Sequence, residues 1–120
     1  MKIPLIPYTV PEWAASDTPV RVFYRLDAER EKATADAFSR VLDISRHKVA
    51  AAQGREHDED LAAQDGEAIT REALKSCIES IRCADGVYGP DALDGWPIKI
   101  LVNILRAIMQ GEFDRDAPKS

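Results

Sequence analysis

Apolar positions are spread unevenly along the chain, and the densest patch lies near the C-terminus. Between Trp96 and Gly111 the residues Ile98, Ile100, Leu101, Val102, Ile104, Leu105, Ile108 and Met109 leave one narrow polar stripe. That stripe, Lys99, Asn103, Arg106 and Gln110, recurs at i, i+4, i+7 and i+11 and predicts a helix over 97–110. Pro97 suits the first helical position, where its missing N–H costs nothing, and Gly111 suits the left-handed residue just past the end. A helix apolar over most of its circumference must be covered on several sides, by its own chain or by a partner.

The earlier pattern is weaker. Pro4, Pro7 and Pro11 forbid a helix and a central strand in residues 1–19, which leaves an extended arm anchored by Ile3, Leu5, Ile6, Tyr8, Val10 and Trp13. We expect that arm to wrap the protein's own helices, since apolar groups left in water are a liability. Ser16-Asp17-Thr18-Pro19 is turn material, and residues 20–26 hold a β-branched and aromatic run that suits a short strand, pairing with the arm around Tyr8 to Val10. Asp27 caps a helix over 27–53, whose apolar stripe is Phe38, Val41, Leu42 and Val49. Residues 54–69 form an acidic loop. Thr70, with Ile69 closing over Leu74, opens a helix over 70–84 that carries Leu74, Cys77, Ile78 and Ile81. Asp85-Gly86 stops it, a structured loop covers 85–96, and 111–120 is a polar tail with Phe113 as its one contact residue. The expected fold class is mainly α, a single three-helix domain with an extended proline-rich arm and one short β-strand pair.

Composition narrows the function. At 120 residues the chain makes one domain, and 31% charged against 45% hydrophobic residues is ordinary for a globular protein. With 21 acidic and 16 basic residues the net charge is -5, a poor match to nucleic acid but a good one to a basic partner. No apolar run reaches the roughly 20 residues that cross a bilayer. The proline-broken start does not read as a signal peptide, so the cytoplasm is the expected compartment. Cys77 and Cys83, six apart on one expected helix, point to different faces and are expected as free thiols.

Catalytic groups do not converge. His47 and His57 lack a Cys or His at zinc-ligand spacing, and His57-Asp58-Glu59-Asp60 lacks the spaced ligands of a calcium loop. Cys77 falls on an apolar stripe, and Cys83 is far from a positive helix N-terminus that would activate it. The pairs Asp58 and Asp60, and Asp91 and Asp94, sit in polar segments that give no reason for a raised pKa. The expectation is no enzyme, no cofactor and no metal. What remains is surface: Trp13 and Trp96, as tryptophans, and Ile100, Ile104 and Met109, as surplus apolar positions on the last helix, are the candidate partner-binding residues.

The opening Met-Lys-Ile-Pro-Leu-Ile-Pro-Tyr-Thr-Val-Pro, the helix pair joined by Ala84-Asp85-Gly86-Val87-Tyr88-Gly89, and the helix led by Pro97 resemble the small tail assembly chaperones of tailed phages. The resemblance spans about half the chain. It implies a non-enzymatic, mainly helical, cytoplasmic protein that shields an apolar, coiled-coil-prone tape measure protein until tail subunits polymerise on it. Two other expectations stand beside it. One is a phage-encoded inhibitor of a host nucleic-acid enzyme, of the anti-CRISPR type, using Glu56 to Asp65 as a phosphate mimic. The other is a virion or assembly subunit whose arm reaches into a neighbouring copy, as a homo-oligomer.

Overall fold

Two antiparallel strand pairs, one from each half of the chain, join into a single four-stranded sheet. The computed structural model describes residues 5–15 and 19–112. Its sheet runs in the order β1 (Ile6–Thr9), β2 (Arg21–Tyr24), β3 (Ile78–Cys83), β4 (Gly86–Tyr88), antiparallel throughout. Four helices complete the domain: α1 (Ala28–Ala52), α2 (Glu59–Ala62), α3 (Gly66–Cys77) and α4 (Ile98–Met109), with 3-10 turns at Pro11–Trp13 and Pro90–Gly95. The mainly α fold class expected from sequence is thus corrected to a mixed α/β domain. The anchor Ile3, the turn at Ser16-Asp17-Thr18 and the tail with Phe113 lie outside the described residues.

The correction has a local cause. Leu74, Cys77, Ile78 and Ile81 were spaced as one helical stripe, but the helix stops at Cys77 and Ile78 is already extended. In regular strand geometry, Ile78 and Ile81 would face opposite sides of the sheet. The register instead slips: Val22 pairs with Ile81 and Phe23 with Ser80, but Tyr24 pairs with Ile78, leaving Glu79 as the extra residue of a bulge. The bulge resets the alternation, so Ile78 and Ile81 are both buried at a spacing that imitates a helix. Asp85-Gly86, expected to end that helix, belongs to the tight turn between β3 and β4, where Cys83 pairs with Gly86. Gly86 has φ +148, a conformation that a side chain would strain. At the other side of the sheet, β1 contains Pro7 and is an edge strand, the place where a missing N–H is tolerated.

The polar linker is also more ordered than a solvated loop. Asp58 caps α2 by accepting from the backbone N–H groups of Asp60 and Leu61. Asp65 caps α3 through Glu67 and Ala68, the role expected of Thr70. Thr70 is instead buried within the helix, its hydroxyl donating to the Gly66 carbonyl at 2.8 Å. Asp27 caps α1 through the Arg30 N–H, and that bond above all holds its carboxyl below the usual range.

The core is one cluster in which Ile100, Leu101, Ile104, Leu105 and Ile108 of α4 meet Val22, Tyr24, Ile78 and Ile81 of the sheet and Leu74 of α3. The N-terminal segment closes over it: Val10 is fully buried, and Glu12 accepts a hydrogen bond from Asn103 Nδ2 at 2.9 Å. Tyr24 reaches past the end of α4 to donate to the Glu112 carbonyl at 2.5 Å. Gly111, at φ +71, supplies the left-handed step that turns that carbonyl toward the sheet side. Pro97 takes the cap position just before α4 rather than its first turn.

Candidate functional site: a tryptophan-walled cleft

The five residues singled out from sequence have different fates. Ile104 is 0% exposed and Ile100 9% exposed, so both belong to the core and offer a partner little or no surface. Met109 is half-buried at the end of α4 and does not line the hollow beside the two tryptophans. Trp13 and Trp96, from opposite ends of the chain, meet edge to face with ring centroids 4.9 Å apart and an interplanar angle of 86°. Trp13 is placed by the 3-10 turn after Val10, whose carbonyl accepts from the Trp13 N–H. Trp96 is held at the junction into α4, where its carbonyl accepts from Arg71 Nη2 of α3 and its N–H donates to the Leu93 carbonyl.

This pair walls an open cleft of about 420 Å³. Val20, Ile81 and Ala92 line it too, as do Cys83, Asp85 and Tyr88 of the β3–β4 hairpin. The last three form a hydrogen-bonded unit. Asp85 accepts from the Cys83 thiol through Oδ1 and from the Tyr88 hydroxyl through Oδ2, the latter at 3.0 Å. These bonds favour the carboxylate, so the Asp85 carboxyl is held below its ordinary range, chiefly by Cys83. The same contact pushes the Cys83 thiol up, and the Tyr88 hydroxyl is likewise raised by its bond to Asp85. A thiol kept protonated by an adjacent carboxylate is the reverse of an activated nucleophile.

The other candidate chemistry is occupied elsewhere. Cys77 ends α3 and is pushed up by burial, and the six-residue strand to Cys83 separates the two free thiols by roughly 20 Å. Lys75 sits 2.7 Å from Asp94 and 3.9 Å from Asp91, tying α3 to the turn before α4. His47 Nδ1 accepts from the Asp58 N–H at 2.9 Å. Among the described residues no group of three or more His, Cys, Asp or Glu side chains is placed to hold a metal ion, and no helix is long and apolar enough to cross a membrane.

A second hollow, of about 520 Å³, lies between α1, the start of α3 and α4. It is larger, yet Lys48, Gln64, Asp65 and Glu67 share its wall with Val41 and Ile44, and no aromatic side chain lines it among the described residues. Rigid aromatic area is what concentrates binding energy in a small patch, so the tryptophan cleft is the stronger candidate.

The sequence pattern over 78–88 reads as the end of a helix and a loop, so it does not single out Tyr88, Asp85 and Cys83 as site residues. The available signal was Asp85-Gly86 flanked by Ile81 and by Val87-Tyr88, the pattern of a hairpin. Comparison with known proteins finds no matching family model, no matching curated protein and no matching solved structure.

Proposed function

We propose that this chain is a non-enzymatic protein-binding module whose docking point is the cleft beside Trp13 and Trp96. The observation that carries the reading is the meeting of these two half-buried tryptophans at the wall of an open, mainly apolar hollow. Tryptophan is among the residues enriched where protein–protein binding energy concentrates. The bond from the Cys83 thiol to Asp85, which disfavours a thiolate, and the engagement of Lys75 by Asp94 support a binding role over a catalytic one. By the resemblance described above, the module acts as a tail assembly chaperone in the host cytoplasm, and its partner is an apolar segment of a tape measure protein. Burial of Ile100 and Ile104 favours the cleft over the last helix as the capture surface.

Co-expression with a tape measure protein, followed by pull-down, tests this reading. A complex is expected, and Trp96→Ala should weaken it by roughly tenfold or more, the range of a hot spot worth 1.4 kcal/mol or above. Ala92→Lys, which fills the cleft from a half-buried small residue, should do the same without removing a packed ring. Undiminished binding by Ala92→Lys, with the far-ultraviolet circular dichroism of the parent, would rule the cleft out. Absence of any complex would remove the tape measure protein as partner.

A further inference from the structure

The cleft has a chemical asymmetry that a purely apolar docking point would not need. Among the described residues, three aromatic side chains, Trp13, Trp96 and Tyr88, line it together with one carboxylate, that of Asp85. Asp85 stands at the exposed tip of the β3–β4 turn, and among the described residues no Lys or Arg lines the cleft or pairs with it. The neighbouring carboxylates differ: Asp91 and Asp94 face Lys75. Aromatic faces carry negative potential, so rings and carboxylate together attract positive charge and reject anions.

Resting on the reading of the cleft as the docking point, we infer that the cleft selects an arginine side chain of the partner, flanked by apolar residues. Arginine fits better than lysine for three reasons. Its guanidinium is flat and weakly hydrated, it stacks on rings, and its fork can engage both carboxylate oxygens. Asp85 Oδ1 and Oδ2 each accept one hydrogen bond from within the chain, which leaves lone pairs on both for a second donor. Those two internal bonds also fix the carboxylate's orientation, so it is set before the ligand arrives. The hollow of about 420 Å³ accommodates one long side chain and the apolar neighbours that would rest on Val20, Ile81 and Ala92. The net charge of -5 draws a basic segment toward the surface in the first place.

The test uses the full chain and two amidated, N-acetylated pentapeptides, Ala-Leu-Arg-Leu-Ala and its isostere with citrulline in place of arginine. Citrulline keeps the shape and loses the charge. Titration followed by tryptophan fluorescence should show the arginine peptide binding at least tenfold more tightly. In Asp85→Asn that preference should fall to within about twofold, while the citrulline peptide binds as it does to the parent, which shows that the cleft is intact. Asp85→Glu should restore part of the preference. Equal binding of both peptides to the parent, or an unchanged preference in Asp85→Asn, overturns the inference. If both peptides bind equally and both are lost in Ala92→Lys, the cleft remains a docking point without charge selection. If neither binds, arginine recognition is overturned, and the pull-down decides the docking reading separately.

Discussion

In α4, six of twelve residues are buried, whereas α1, with twenty-five, buries only Thr34, Ala37, Ile44 and Ala50. Both helices carry apolar residues at helical spacing, but they do different jobs. α4 is the element being enclosed: α1 and α3 cover it on one side, and the sheet and N-terminal segment share its core cluster. α1 is a cover, and it leaves Leu42 41% and Val49 47% exposed on its outer side. The free energy of folding therefore concentrates on one short helix, because area removed from water, not helix length, sets the hydrophobic contribution.

Breaking that concentration should have the largest effect. Ile104→Asp would place a charge where no solvent or partner reaches it, a loss on the order of 3–5 kcal/mol or more against a total stability of about 5–15 kcal/mol for a typical domain. We expect the urea midpoint of this variant to fall far below that of the parent. A transition near the parent midpoint would mean that α4 is not enclosed.

A matched pair sharpens the contrast. Leu105→Ala on α4 should cost about 2–5 kcal/mol, the range for emptying a fully buried site, while Leu42→Ala on α1 should stay within about 1 kcal/mol. Urea unfolding of both variants measures the difference directly, and equal costs would erase the distinction between core and cover.

The smallest expected effect concerns the polar latch that closes the end of α4 onto the sheet. Tyr24 is fully buried, and its hydroxyl is pushed up to about 12, first by burial and then by Glu112. Because the folded value lies above the unfolded one of about 10, this contribution is complete below pH 10 and is lost as pH rises toward 12. The slope is about 1.4 kcal/mol per pH unit, or roughly 2–3 kcal/mol over the window. Tyr24→Phe should cost about 1 kcal/mol at neutral pH and flatten that alkaline decline relative to the parent. An identical decline in both proteins would assign it to other groups.

Where neighbours in sequence supply the partners, the residues were readable. Asp27 caps α1 through Arg30, three positions on, and Gly111 adopts the positive φ its place after the last apolar turn suggested. The arm was seen as wrapping its own chain, which Val10 and Glu12 do. The run over 20–26 reads from sequence as one strand paired with the arm, and β3 and β4 extend that pair to four strands. The failure lies at Ile78 to Tyr88, where a bulge gave a strand the spacing of a helix. Of the candidate site, Trp13 and Trp96 were named, but as separate residues. Their contact, and the addition of Asp85 and Tyr88, depended on that misread stretch.

The sequence alone determined the apolar character of Ile98 to Met109, its end signals, and the need for something to cover it. These follow from local stereochemistry and from the aversion of apolar groups to water. Which groups do the covering, and that Ile100 and Ile104 face inward while Trp13 and Trp96 share a cleft, was decided only in the tertiary structure. The reason is physical: hydrophobic burial has no direction of its own, so periodicity can demand a partner without naming it. The sheet register and its bulge, set by hydrogen bonds between residues more than fifty positions apart, made that choice.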